Sequence, residues 1–109
     1  MSFLINGEDI KKIIDDDRAC IVTNRILVDG AKVGYMYREE PSDQYNDSGW
    51  RFFAGDESEE YCNTPENYKI VKLNTLCNYD DSVISKLDKN IGEAYKRNKS
   101  GKFIKDRYF

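Results

Sequence analysis

The segment that decides the fold is SGWRFFA, residues 48–54, which is closed by the turn signal Gly55-Asp56. Large aromatic residues between glycine-containing turn signals predict a short β-strand. Trp50 and Phe52 are two positions apart and therefore lie on the same face of that strand. We expect this face to pack in the core. The alternative is an exposed Trp50 beside Arg51 that anchors an interface.

Further strands are predicted on both sides of this segment. They lie at residues 19–23 (continued by 26–28 after a turn or bulge), 33–38 and 68–76. In the second of these, Val33, Tyr35 and Tyr37 alternate on one face, where they are either core residues or interface residues. The turn signal Asp29-Gly30 predicts that the first two strands form a hairpin.

Two helices are predicted at the ends of the chain. Ile10, Ile13 and Ile14 form an amphipathic stripe in a short helix that follows Asn6 and ends at residues 15–17. A longer C-terminal helix begins near residues 80–82, and its apolar face carries Val83, Ile84, Leu87, Ile91, Ala94 and Tyr95.

Together these elements predict an α+β fold in a single domain over residues 1–109. It consists of an antiparallel sheet of about four strands, a short N-terminal helix and a longer C-terminal helix. Residues 99–109 form a tail. Its first part is predicted to be flexible, and residues 103–109 are predicted to pack back as a short extended segment.

The composition excludes several classes of protein. The 109 residues carry a net charge of −3 and contain no histidine. Ser-His-Asp and Cys-His nucleophile systems are therefore impossible, and three cysteines are one short of a four-cysteine zinc site. We expect no metal and no cofactor. The acidic balance argues against nucleic acid and favours a neutral or basic partner.

The same sequence predicts a cytoplasmic location. No apolar run approaches the roughly 20 residues that cross a bilayer. The N-terminus has neither a basic start nor a long apolar stretch, so we expect no secretory signal and no membrane association. The odd number of cysteines fits reduced thiols better than a disulfide framework.

Acidic residues cluster at both ends of the central strand. Residues 38–40 read Arg-Glu-Glu, and residues 56–60 contain four further acids. These groups are a solvated loop, a partner-binding patch, or a metal or catalytic site; the EF-hand spacing of calcium ligands is not met. Our candidate partner-binding residues are Arg38, Glu39, Glu40, Asp47, Trp50, Arg51, Asp56, Glu57, Glu59, Glu60 and Tyr61.

Asn74 interrupts an otherwise apolar segment, LNTL at residues 73–76. A buried asparagine side chain has to be hydrogen-bonded. We therefore predict that Asn74 ties the end of a strand to a loop.

Three strings resemble one bacterial family. These are VGYMYREEP (33–41), DSGWRF (47–52) and LNT (73–75), and the resemblance to the immunity protein 33 family extends over about residues 18–98. It implies a small cytosolic α+β protein that binds a cognate toxin and has no activity of its own. It supplies no catalytic residues.

Three functions remain as hypotheses. The first is a non-enzymatic immunity protein, monomeric or homodimeric, that neutralises a basic toxin through an acidic and aromatic surface. The second is a sensor that binds a small molecule or peptide in a pocket between sheet and helix. The third, a carboxylate-dependent enzyme, is disfavoured because the sequence lacks histidine, a glycine-rich phosphate loop and a nucleophile motif.

Overall fold

The computed structural model describes residues 3–107 and shows an α+β fold built on a mixed sheet. Within these residues the strands are β1 (Ala19–Thr23), β2 (Tyr35–Arg38), β3 (Asp47–Phe53), β4 (Tyr68–Lys72), β5 (Ala94–Arg97) and β6 (Phe103–Asp106). Their order across the sheet is β4-β1-β3-β2-β5-β6. The α+β class is as predicted, but the sheet has six strands and is not purely antiparallel.

The helices are short. They are α1 (Asn24–Leu27), α2 (Glu59–Cys62) and α3 (Leu73–Tyr79), with 3-10 segments at Gly7–Asp9, Pro65–Asn67 and Asp81–Lys86. Helix α1 replaces the predicted continuation of the first strand. Its Ile26 and Leu27 are fully buried, so this apolar run enters the core as a helical turn.

Strand β3 lies between β1 and β2, and the predicted hairpin of β1 and β2 is therefore wrong. β1 is parallel to β3 and antiparallel to β4, and β2 is antiparallel to both β3 and β5. The turn signal at residues 29–30 follows α1, so it leads the chain away from β1. β3 can then take the central place, where its first six residues are all buried.

One face of the sheet carries the hydrophobic core. Trp50 and Phe52 of β3 are fully buried there, as are Cys20, Val22 and Met36 of the neighbouring strands. Helices α1 and α3 and the 3-10 segment 81–86 close this side with Ile26, Leu27, Leu73, Leu76, Cys77, Tyr79 and Val83. Because alternate residues of a strand point to opposite faces, Tyr35, Tyr37 and Phe53 lie on the other side of the sheet.

The predicted N-terminal helix is wrong. Only Gly7–Asp9 forms a 3-10 turn, and the following segment is fixed to α3 by side-chain hydrogen bonds. Asn74 Oδ1 accepts from the N–H groups of Ile13 (2.7 Å) and Ile14 (3.1 Å), and Asn74 Nδ2 donates to the Lys11 carbonyl (2.9 Å). Asn74 therefore ties its segment to a loop as predicted. The predicted strand over residues 68–76 is too long, however, because β4 ends at Lys72 and Asn74 lies half-buried in α3.

The predicted C-terminal helix is also wrong. Residues 81–86 form a 3-10 segment capped by Asp80, and the chain then enters β5 after Gly92, which has φ +94°. Val83 and Leu87 reach the core, whereas Ile84 and Ile91 are exposed. The predicted tail forms the turn and second strand of a β5–β6 hairpin. Residues 108–109 of the predicted segment lie outside the described residues.

Candidate functional site

Four aromatic rings form a continuous cluster on the face of the sheet opposite the core. Tyr37 and Phe53 are stacked, with centroids 5.8 Å apart and planes 17° apart. Tyr35 lies 6.0 Å from both of these rings. Tyr68 meets Phe53 edge to face at 6.0 Å and 83°. All four are half-buried because the core helices pack on the other side of the sheet. We call this surface the aromatic face.

A shallow groove of about 330 Å³ crosses the aromatic face. Its lining consists of Ile21, Tyr37, Glu39, Arg51, Phe53, Pro65 and Tyr68. The floor is aromatic and aliphatic, and its charged lining residues are Glu39 and Arg51.

Arg51 is held between two carboxylates. Its side chain is only 6% exposed, and its Nη1 and Nη2 atoms donate to Asp47 Oδ1 (2.9 Å) and Oδ2 (2.7 Å). Its Nε donates to Glu39 Oε2, and Glu39 is 38% exposed. One guanidinium and two carboxylates leave this group with a net charge of −1.

Backbone geometry fixes the same group. Burial alone would raise the pKa of Asp47, but hydrogen bonds from Arg51 and from the N–H groups of Ser42 and Gly49 lower it to about 2. Gly49 has φ +87°, and a Cβ atom there would stand 2.2 Å from the Glu39 carbonyl oxygen. Any residue other than glycine at position 49 would therefore push the Glu39 backbone away from β3.

The second acidic stretch has a different arrangement. Asp56 forms an exposed ion pair with Arg25 (2.6 Å). Glu57 points inward, where Oε2 accepts from Thr23 Oγ1 (2.7 Å) and the Ala54 N–H (2.8 Å). Glu59 and Glu60 are exposed in the first turn of α2. Glu57 is therefore a structural hydrogen-bond acceptor, whereas the other three acids are exposed, and of these Asp56 is paired with Arg25.

The two acidic stretches lie at opposite ends of the sheet. Arg38 pairs with Trp50 near the start of β3, and Tyr35 pairs with Phe53 at its end. At about 3.3 Å per residue, the two ends of β3 are roughly 20 Å apart. The structure brings Glu39, Asp47 and Arg51 together and keeps them apart from residues 56–60.

Trp50 is a core residue and not an interface anchor. It is fully buried, and its Nε1 donates to the Leu87 carbonyl (3.1 Å). Arg38 is half-buried and also serves the fold, since its guanidinium donates to the carbonyls of Ser48 and Lys89. Among the other candidate residues, Glu40, Asp56, Glu59 and Glu60 are exposed, and Glu39, Glu57 and Tyr61 are half-exposed.

The sequence analysis missed four groove residues, Ile21, Phe53, Pro65 and Tyr68. The alternation of β1 carried a signal for Ile21, because its neighbours Cys20 and Val22 are core residues. Tyr68 reaches the groove only because β1 and β4 pair, placing Thr23 opposite Tyr68.

A second, wider cleft of about 740 Å³ lies where β2 begins and β3 ends. Tyr35, Phe53 and Ala54 contribute to its lining, together with charged residues of both signs. Three of its cations are already engaged: Lys32 donates to the Tyr79 carbonyl, Arg97 pairs with Asp80 (2.8 Å), and Arg25 pairs with Asp56 (2.6 Å).

No helix within residues 3–107 is both long enough and apolar enough to cross a membrane. In the same part of the chain, no three cysteine or carboxylate side chains are grouped so that they could hold a metal ion.

The structure is thus a small α+β protein with an aromatic face and a groove on the side of the sheet opposite the core. The chain belongs to the family of the immunity protein Imm33 domain, whose model matches residues 20–107. The resemblance recognised in the sequence is thereby confirmed, and the match extends past residue 98 to include β6. This membership indicates an immunity-protein role. Neither the curated proteins nor the solved structures contain a match to the chain.

Proposed function

We propose that this protein binds a cognate toxin and neutralises it by occupying its surface, without catalysis. The observation that carries the proposal is the aromatic face in a member of an immunity-protein family. A contiguous, partly exposed apolar surface rimmed by polar residues marks an interaction site in soluble proteins. Tyrosine is also among the residues enriched at the centres of protein interfaces.

Exposed isoleucines extend the aromatic face toward both edges of the sheet. Ile70 pairs with Ile21 across β4 and β1 and is 58% exposed. Ile104 lies opposite Lys96, which itself pairs with Tyr35, and is 42% exposed. Apolar residues therefore occur on this face from one edge strand to the other, with the exposed Lys96 between Tyr35 and Ile104, and this width suits a protein partner.

Exposed acids at both ends of the sheet support a basic partner. Glu39 and Glu40 lie at one end, and Asp56, Glu59 and Glu60 lie at the other. Complementary charge around an interface raises the rate of association and makes that rate depend on salt. We propose that the toxin presents a basic surface to these residues.

The first test uses the toxin candidate encoded beside the gene, co-expressed with this protein and then purified for binding measurements. Ile70→Asn should weaken binding about tenfold or more, because it removes exposed apolar area from the aromatic face. Ile84→Asn is the matched control, since Ile84 is 38% exposed on the helical side. Equal effects of the two variants would reject the aromatic face, and failure of the wild type to bind or protect would reject toxin binding itself.

The second test concerns the acids of α2. Reversal of both charges, Glu59→Lys with Glu60→Lys, should slow association and weaken its salt dependence. Asp81→Lys with Asp88→Lys makes the same change in net charge at exposed positions on the helical side. If both pairs slow association equally, net charge and not the α2 acids accounts for the effect.

A second candidate function is a sensor for a small molecule or peptide. The wide cleft of about 740 Å³ favours it, because pockets of this size hold small ligands. A ligand of this cleft should raise the melting temperature of the wild type, and Ala54→Phe, which adds a ring to the lining, should reduce that shift.

A further inference from the structure

We infer that the groove on the aromatic face accepts a single cationic side chain, arginine or lysine, from the protein partner. This inference rests on the proposed function and names the chemistry of one contact within it. It follows from the geometry of the rings, the charge at the end of the groove and the nature of the remaining lining.

The rings surround the groove from two directions. Tyr37 and Phe53 are nearly parallel, whereas Tyr68 stands almost perpendicular to Phe53. All three rings line the same groove. An aromatic face attracts a cation through its quadrupole when the cation lies within about 6 Å of the ring centroid. A side chain in this corner would contact more than one ring.

The charge at the end of the groove is negative. Arg51 lines the groove but is 6% exposed, and both of its terminal nitrogens donate to the buried Asp47. Glu39 is the more exposed member of the group, at 38%. A carboxylate has about four lone-pair sites, so Glu39 can accept from a second cation while it holds Arg51 Nε.

The other residues suit the apolar stem of a long side chain. Ile21 and Pro65 provide aliphatic surface between the rings. Arginine and lysine bury their methylene groups on such surfaces while the charged end finds a polar partner. An anionic group would be repelled by Glu39. A purely apolar group would displace water from Glu39 and offer no hydrogen bond in place of those that the water made. A cation satisfies both the rings and the carboxylate.

The test is an NMR titration of the isotope-labelled protein at low salt. The probes are N-acetyl-arginine amide and N-acetyl-lysine amide, and N-acetyl-citrulline amide serves as a neutral probe of nearly the same shape as arginine. The cationic probes should produce saturable shifts at Ile21, Tyr37, Phe53 and Tyr68. The citrulline probe should bind roughly tenfold more weakly, as expected when the charge interaction is lost.

Variants locate the effect at the groove. Glu39→Gln should weaken binding of the arginine probe roughly fivefold, and Glu8→Gln, at an exposed position of the 3-10 turn Gly7–Asp9, should leave it unchanged. Tyr68→Leu keeps an apolar side chain but removes one ring, and it should weaken both cationic probes. It also provides a second test if Glu39→Gln disturbs the fold, which the spectrum of the unbound variant will show.

Several results would overturn the inference. These are equal binding of citrulline and arginine, shifts confined to the wide cleft, or no binding of either cationic probe. If the toxin binds wild type, Glu39→Gln and Glu8→Gln equally well, the groove contact is wrong while toxin binding stands. If the probes bind as expected but no toxin is bound, the groove contact stands and the proposed function is wrong.

Discussion

Arg51 shows how two carboxylates bonded to one guanidinium can serve different purposes. The Asp47 side chain is fully buried and accepts hydrogen bonds from Arg51 and from two backbone N–H groups. Glu39 bonds the same guanidinium from the partly exposed side. We therefore expect Asp47 to contribute to folding and Glu39 to contribute to binding.

Substitution of Asp47 should be strongly destabilising. Asp47→Asn leaves a buried guanidinium with one carboxylate, and disruption of a buried ion pair costs about 3–5 kcal/mol. Asp56→Asn is the matched control, because it breaks the exposed pair with Arg25, for which a much smaller loss is expected. Urea titration of both variants measures the difference. Equal losses would show that Arg51 does not depend on Asp47.

The same carboxylate should govern part of the acid limb of stability. The pKa of Asp47 is about 2 in the folded state, against an ordinary value of 3.8. Because the folded-state pKa is lowered, this stabilisation is present above about pH 4 and is lost as the pH falls toward about 2. Glu93, whose pKa is also lowered to about 2, adds to the same window.

Denaturant unfolding at several pH values checks this second prediction. The wild type should lose stability steadily across the window. Asp47→Asn should lose less, because the contribution of Asp47 is removed while those of Glu93, Asp16 and Asp56, whose pKa values are also lowered, remain. A variant with the same slope as the wild type would show that Asp47 does not titrate in this range.

At the scale of elements, Asn74 joins two segments that are distant in sequence. Its side chain bonds the backbone at Lys11, Ile13 and Ile14, so α3 holds the N-terminal segment against the core. Asn74→Ala should release this segment. We expect a loss of about 1 kcal/mol per hydrogen bond at most, with faster amide exchange confined to the N-terminal segment.

Hydrogen exchange with mass spectrometry tests the prediction for Asn74. Ser85→Ala, at an exposed position of the 3-10 segment 81–86, provides the control. Unchanged exchange at Ile13 and Ile14 in Asn74→Ala would contradict the role given to the side chain.

The elements predicted correctly are those with an unambiguous local pattern. The β-branched run of β1 and the aromatic run of β3 correctly predicted strands, and the polar Asn74 correctly predicted a hydrogen bond to a loop. The N-terminal and C-terminal helices were predicted wrongly from their amphipathic stripes, because apolar residues at helical spacing can also be buried in other structures. Val83 lies in the 3-10 segment 81–86 and Leu87 directly follows it, whereas Ala94 and Tyr95 lie in β5. All four are buried.

At the scale of the whole molecule, the order of the strands brings together the residues of the groove, and this order could not be predicted from the sequence. The candidate list contained Glu39, Asp47 and Arg51, but their association depends on the approach of residue 39 to β3 at Gly49. The groove also needs Tyr68, which is brought in by β1 lying between β3 and β4. Long-range pairing of this kind has no signature in local periodicity.

The three cysteines provide a probe of global opening. Cys20 and Cys77 are buried, and Cys62 is only half-buried. Burial raises the pKa of the Cys20 thiol, and burial followed by nearby Asp81 and Asp80 raises that of Cys77 to about 11. A thiol reagent reacts with the thiolate. Both buried groups should therefore react slowly, because the reagent cannot reach them and because their raised pKa values keep them protonated.

We expect one thiol to react rapidly with an aromatic disulfide reagent at mildly alkaline pH, and two to react only as the molecule unfolds. Cys62→Ser should remove the rapid phase and leave the slow phase intact. Rapid reaction of a second thiol would show that the core opens locally around Cys20 or Cys77.

The sheet order also bears on when the protein becomes active after its synthesis. β1 pairs with β4, and β2 pairs with β5, so the sheet cannot close until β5 has left the ribosome. Such non-local pairing is slow to form compared with helices. A newly made chain therefore passes through an interval in which β1, β2 and β3 have been synthesised but the sheet that carries the aromatic face is not yet complete. If the protein neutralises a toxin as proposed, this delay requires that its synthesis begin before synthesis of the toxin.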